Sequence, residues 1–228
     1  MKSLSHLFNL FYPSVCVCCE EKLLDQEKLI CLRCRFDLPF VDNGNFISNN
    51  LTNTFKGRIL LEKGASFLYY NEVGKTKNLI HALKYRANQE IGDFIGNWFG
   101  EKLLASKNFN DIDYIIPVPL HKSKLRKRGY NQLTLFGESL SKVLNIDYLE
   151  GALKRISFTK TQTSKKRIDR FQNTSSKFTI NKPEVLNHKH VLLIDDVITT
   201  GATLEACCKE LLKAEKIKIS IVTIAITP

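Results

Sequence analysis

The 228-residue chain has no apolar run long enough to cross a bilayer, so it offers no candidate membrane-spanning helix. Its short N-terminal apolar stretch (Leu4, Leu7, Phe8, Leu10 and Phe11) is broken by His6 and Asn9 and has no small-residue cleavage site behind it. A secretory signal is therefore not expected there, and a short amphipathic helix packed on the body of the protein is. An even number of cysteines is also missing, and seven fit poorly with a complete disulfide framework. In an unexported, cytoplasmic chain, metal ligands or buried thiols are expected instead. Internal repeats and long low-complexity tracts are absent. Most of the chain lacks any surplus of charge of one sign. Residues 1–40 hold five basic and five acidic residues, 41–120 nine and eight, and 178–228 six and six.

What is present is concentrated. Residues 121–177 hold fourteen basic residues against four acidic ones, nearly the whole net charge of +11. Such a segment suits a polyanion, either a small polyphosphate or nucleic acid, or else is a solvated basic surface. Apolar residues make up 43% and charged residues 25%, ordinary for a folded soluble protein.

A boundary is expected near residues 39–57, where Pro39, Asp42-Asn43-Gly44-Asn45 and Ser48-Asn49-Asn50 read as turn and linker. The expected organisation is a helix and cysteine module over 1–40, a linker over 41–57 and a larger domain over 58–228. In that domain, strands are expected at 65–70, 114–118, 191–194 and 217–226, and helices at 76–85, 91–104, 131–144 and 203–214. This alternation predicts an α/β fold with a mainly parallel sheet flanked by helices.

Cys16 and Cys19 form one C-x-x-C pair, and Cys31 and Cys34 a second, eleven residues on. Two such pairs suit a closed, tetrahedral, structural zinc site in a small ribbon-like module. Cys18 offers a competing C-x-C register and could replace Cys16 or Cys19. In so small a module, metal binding and folding should be coupled. Cys207 and Cys208 read as core thiols.

The run from Val191 to Thr203 carries the most chemistry. An apolar strand ends in Asp195 and Asp196, passes through Val197 and Ile198 into Thr199, Thr200 and Gly201, and enters a helix at Ala202 and Thr203. Ligands bind beyond the carboxyl ends of strands in open α/β sheets. A glycine lets backbone N–H groups approach an anion, a helix N-terminus favours phosphate, and adjacent acids can accept bonds from two neighbouring ribose hydroxyls. Two adjacent acids without a partner would be costly. This run resembles the signature of type I phosphoribosyltransferases. The resemblance implies that the loop holds the 5′-phosphate of phosphoribosyl pyrophosphate (PRPP), bound with Mg2+, and that the acids hold the ribose hydroxyls. Where some relatives carry an acid that assists the base substrate, this chain has Thr199, so the loop offers no obvious general base.

Further blocks widen the resemblance: 79–86 (LIHALKYR), 117–122 (PVPLHK), 127–132 (KRGYNQ) and 159–162 (TKTQ), with Arg170, Asn173 and Phe178. Together with the four cysteines, they resemble the competence protein F family, which joins a four-cysteine zinc module to a phosphoribosyltransferase-like domain. By position, Pro117 to Lys124, with Pro119, Leu120, His121 and Lys122, would form a pyrophosphate loop, and Arg155 to Ser176 a mobile hood. Lys84, Arg86 and Arg128 would be phosphate contacts or solvated surface charges. Asn131 and Gln132 would begin the following helix as caps. The resemblance leaves three functions open: transfer of ribose phosphate to an acceptor with release of pyrophosphate, handling of single-stranded DNA through residues 121–177 in natural transformation alongside competence-machinery proteins, and PRPP sensing without turnover.

Overall fold

The computed structural model describes residues 13–85, 88–156 and 178–228. The expected N-terminal helix, Arg86 and the hood beyond Ile156, including Arg170 and Asn173, lie outside the described residues.

Five strands form one parallel sheet: β1 (Gly64–Tyr69), β2 (Tyr114–Pro117), β3 (Asp147–Tyr148), β6 (His190–Ile198) and β7 (Lys218–Ile226). Their order is β1-β7-β6-β2-β3, and every neighbouring pair is parallel. Between β3 and β6, β4 (Leu153–Arg155) and β5 (Phe178–Ile180) pair antiparallel as a separate ribbon. The central strand β6 is buried on both faces from Val191 to Ile194, which is why it reads as an unbroken apolar run. Its pairing with β2 ends at Pro117 opposite Ile194. Asp195 is therefore the first β6 residue past the end of that neighbour.

The flanking helices are α3 (Lys75–Tyr85), α4 (Glu90–Ser106), α5 (Lys122–Arg128), α6 (Thr134–Leu144) and α7 (Ala202–Leu211). On α4, Ile91, Ile95, Phe99 and Leu103 form a buried stripe, with Phe94 and Trp98 half-buried beside it. The α4–α6 approach is close: a Cβ on Gly96 would meet the Phe136 carbonyl oxygen at 2.7 Å. Glycine at this position is what lets the two backbones meet.

Two expectations change here. The stretch 41–57 is not merely turn and linker. Asn49 caps a helix, α2 (Asn50–Thr54), through a reciprocal capping box with Thr52, and Leu51 and Phe55 are buried. The stretch from Pro117 to Lys124 is also only partly loop, because Lys122 onward is α5. The His121 side chain accepts the Ser123 N–H at its start, and Gly129, with φ 80°, closes its end. No residue of α5 is buried, so it carries no apolar stripe.

The cysteine module, with its short helix α1 (Leu32–Asp37), is joined to the body by specific contacts. Asn78 on α3 donates to the Cys18 carbonyl at 2.8 Å, and Lys75 pairs with Asp37 at 2.7 Å. Phe40 packs edge-on against Phe67 and Trp98. Among the described residues, no helix is long and apolar enough to cross a membrane.

Candidate functional site

Asp195 and Asp196 stand at the carboxyl end of β6 on opposite sides of the strand. Asp195 is half-buried and accepts the Asp196 backbone N–H at 2.8 Å. Burial, and next the neighbouring charge of Asp196, push its carboxyl up to about 8. Asp196 is 7% exposed and engaged at both oxygens. The Lys84 ammonium, at the end of α3, lies 3.0 Å from Oδ1, and the Gln132 amide donates to Oδ2 at 2.7 Å. Gln132 in turn accepts from Arg128 Nη1 at 2.7 Å, and Arg128 Nη2 donates to the Tyr85 hydroxyl at 3.4 Å. That guanidinium, 4.9 Å above the Tyr85 ring, lowers the Tyr85 pKa through the hydrogen bond.

Thr199, Thr200, Ala202 and Thr203 are exposed around the turn into α7, whereas Gly201 is buried. Gly201 has φ 75°, and an added Cβ would lie 3.0 Å from the Phe55 ring and 3.1 Å from Thr54. Backbone geometry and the floor supplied by α2 and Phe55 thus both demand glycine. The loop presents hydroxyls and a helix N-terminus to solvent directly beyond the two acids. In the first turn of α7, Glu205 is occupied by Arg58 at 2.6 Å and Lys209 at 2.7 Å.

Beside this loop, the Val118 N–H donates to the Ile194 carbonyl at 2.9 Å, extending the β2–β6 ladder into the 118–121 turn. A cavity of about 600 Å³ opens there, walled by Pro117, Pro119, Leu120 and Lys122 on one side and by Leu153 and Arg155 of the ribbon on the other. The positive charges of Lys84 and Arg155 both act on Asp195. The structure thus brings the acid pair, Lys84 and Arg155 within electrostatic reach of one another. Arg128 joins them through Gln132 rather than standing as a solvated charge.

Gln132 and Tyr85 are the participants that local reading missed. Helix α6 begins at Thr134, so Gln132 does not cap it. Asn131 does act near the helix start, accepting the Leu133 N–H at 3.2 Å.

The second cluster is the cysteine module. The sulfurs of Cys16, Cys19, Cys31 and Cys34 all lie within 4.8 Å of one another. Cys19 Sγ and Cys31 Sγ are 3.8 Å apart, the edge of a tetrahedron whose centre lies about 2.3 Å from each corner, the usual Zn–S length. Backbone N–H groups already point at sulfur, from Cys31 to Cys16 at 3.3 Å and from Cys34 to Cys31 at 3.4 Å. Burial pushes the Cys16 thiol up, but backbone N–H groups, that of Cys31 foremost, outweigh it and bring it down to about 7. Cys18 is buried outside this group, with its thiol pushed up to about 12, chiefly by burial. The donor set fits a closed four-thiolate metal site drawn from Cys16 and Cys19 rather than Cys18.

A family model described as "Phosphoribosyl transferase domain" matches residues 134–227, from α6 to the end of β7. The match takes in the whole strand, acid pair and glycine loop. Competence protein F of Haemophilus influenzae is 43% identical over 101 residues, covering 43% of this chain and 44% of that protein. Competence protein ComFC of Bacillus subtilis is 31% identical over 160 residues, covering 69% and 61%. The chain belongs to the competence protein F family. Its fold is the type I phosphoribosyltransferase fold with an N-terminal four-cysteine module. A further relative, DNA utilization protein YhgH of Escherichia coli O157:H7, is 30% identical over 138 residues, covering 59% and 60%. The chain spans less than two thirds of the length of each of these relatives.

Proposed function

We propose that this competence F protein binds PRPP, with Mg2+, beyond the carboxyl end of β6, and that the bound state serves DNA uptake. The observation that carries the reading is the half-buried Asp195, which has no cation within ion-pair distance among the described residues, next to a glycine loop that opens a helix. Two ribose hydroxyls donating to Asp195 and Asp196 would supply the missing partners. The 5′-phosphate would take the hydroxyls of Thr199, Thr200 and Thr203 and the N-terminal dipole of α7. The pyrophosphate would face the 118–121 turn, with Lys122 and Arg155 as its cationic neighbours. Mg2+ bound with the ligand supplies charge neutralisation on the phosphates.

The described site holds adjacent acids and cations but no group placed as a base toward an acceptor, so PRPP binding is the core of the reading and transfer its extension. Calorimetric titration with PRPP and Mg2+, followed by a pyrophosphate assay in the same samples, tests both parts. Binding that Asp196→Ala removes supports the site, and unchanged affinity overturns it. Pyrophosphate release would make the protein a transferase, and binding without release a PRPP-responsive module.

A second reading concerns DNA, and it rests on α5. All seven of its residues lie free of the core, and five of them are Lys or Arg. A phosphate backbone laid on this helix would bind with strong salt dependence. Reversing the charge of Lys124 and Arg126 should abolish single-stranded DNA binding, and retention of salt-sensitive binding would discard this face. The cysteine cluster is assigned to structural Zn2+. Metal analysis should find about one zinc per chain, and metal-replete, reduced protein without zinc would overturn the assignment. A reducing, cytoplasmic compartment would keep such a thiolate set available for metal, and competence-machinery proteins would be the partners there.

A further inference from the structure

The Asp196 carboxylate is held by a side chain whose chemistry leaves it one orientation. Gln132 is 6% exposed and lies between a group that only donates, the Arg128 guanidinium, and a carboxylate that only accepts. Its Oε1 must face Arg128 and its Nε2 must face Asp196, because the flipped amide would set like against like at both contacts. Arg128 is itself fixed from the other side by Tyr85, through the 3.4 Å hydroxyl contact and the ring 4.9 Å beneath it. A rigid line of donors therefore runs from the end of α5 to Asp196 Oδ2. Lys84 alone would hold the carboxylate at one point and leave it free to pivot. With Oδ1 and Oδ2 each engaged, the carboxylate plane is set, and so are the directions of the lone pairs left for a ligand. Glutamate at position 132 would face Asp196 with like charge, and a shorter amide would not span the gap.

We infer that Gln132, aimed by Arg128, is a positioning residue that fixes the Asp196 carboxylate for the ribose hydroxyls of PRPP; this rests on the PRPP reading above. It also moves Arg128 from the set of direct phosphate contacts to the support of the acid pair. A hydrogen bond to a charged group is worth about 1.5–3 kcal/mol. At about 1.4 kcal/mol per factor of ten, its loss corresponds to roughly 10- to 100-fold in affinity.

The test is a double-mutant cycle on PRPP affinity in the full-length, zinc-loaded protein. Gln132→Met keeps the length and volume of the side chain and removes the amide. It should weaken Mg-PRPP binding about tenfold or more in the wild-type background, yet by less than about twofold on top of Asp196→Asn. Arg128→Met should show the same dependence on Gln132. Competition separates the ligand's two ends: Gln132→Met should weaken ribose 5-phosphate as it weakens PRPP and leave inorganic pyrophosphate within about twofold. A residue that only props up the fold would lower affinity equally in both backgrounds and for both competitors, and that result overturns the inference while leaving the PRPP site standing. Failure of the wild-type protein to bind PRPP overturns both.

Discussion

Strand β6 carries a titratable side chain toward each end and uses the two oppositely. At the amino end, His190 is 4% exposed and every polar atom has a partner. Its N–H donates to Asp113 at 2.8 Å, Nδ1 lies 3.2 Å from Asp111, and Nε2 lies 2.9 Å from the Ser220 hydroxyl. Lys63 and Lys189 close the ring from outside on Asp111 and Asp113. The Ser220–His190–Asp111 line has the connectivity of a hydrolytic relay, yet Ser220 is 0% exposed, so no substrate reaches it. At the carboxyl end, Asp195 is left with a carboxyl pushed up to about 8 and no cation within ion-pair distance among the described residues. The fold satisfies its own polar groups where they are structural and leaves them wanting where a ligand belongs. Connectivity alone does not separate the two; access and unsatisfied charge do.

The largest expected effect comes from removing the Asp195 carboxyl. Asp195→Asn keeps the shape and deletes the carboxylate that the two ribose hydroxyls would share with Asp196. PRPP affinity should fall by about 100-fold or more, the value of one or two charged hydrogen bonds at roughly 1.5–3 kcal/mol each. The same change should raise stability by roughly 1–3 kcal/mol, since the native state no longer desolvates an acid. Calorimetry and thermal unfolding of the one variant read both numbers. A variant that loses PRPP and also loses stability would mean that the carboxyl end is built like the amino end.

The contrast between the ends also marks how far the sequence could be read. The strand, the acid pair and the glycine loop are contiguous, so the apolar run and the turn chemistry announce them together. The cysteine pairs are visible for the same reason, but spacing leaves Cys18 as an alternative ligand, and it is the clustering of Cys16, Cys19, Cys31 and Cys34 in the fold that sets it aside. The partners of Asp196 are not local. Gln132 lies 64 residues away and looks like a helix cap until the sheet brings it to the acid. Helix α2 is five residues long, too short for a periodic stripe, and its burial is decided by Phe55 lying under Gly201. Helix α5 buries nothing, so no apolar pattern could signal it, and the polar capping at His121 marks its start instead. The His190 ring was equally silent, because its partners come from residues 111 and 220.

The ends should next separate by the slope of stability against pH. The folded-state pKa of His190 is lowered, chiefly by burial, which outweighs the pull of Asp111. Between that lowered value and about 6.5, the unfolded chain binds the extra proton, so stability falls as pH drops below about 6.5. Asp195 has a raised folded pKa, so between about 4 and about 8 the native state binds the extra proton and stability falls as pH rises. Below about 6.5 the two slopes oppose one another, so Asp195→Asn should remove the loss toward about pH 8 and steepen the acid-side loss, whereas His190→Gln should remove the acid-side loss and leave the Asp195 slope alone. His190→Gln should itself cost roughly 2–3 kcal/mol at pH 7.5, because it breaks bonds to buried Ser220 and to Asp111, with PRPP affinity within about twofold of wild type. Urea unfolding from pH 5 to 9 distinguishes these outcomes. A single variant that flattened both limbs would show that the two ends titrate as one system.

The smallest effect is the sharpest test of whether the amino end is purely structural. Ser220→Ala removes one hydroxyl and leaves His190 Nε2 without its 2.9 Å partner in a dry interior. The expected cost is about 1–2 kcal/mol, the penalty for one unsatisfied buried group. A shift of about 2–6 °C in the unfolding midpoint corresponds to that for a chain of this size. Because Ser220 is sealed, the variant should leave PRPP affinity within about twofold and any pyrophosphate release unchanged. Loss of either in a variant that still folds would mean that Ser220 meets a ligand in an opened state, and the relay at the amino end would have to be counted as chemistry rather than as packing.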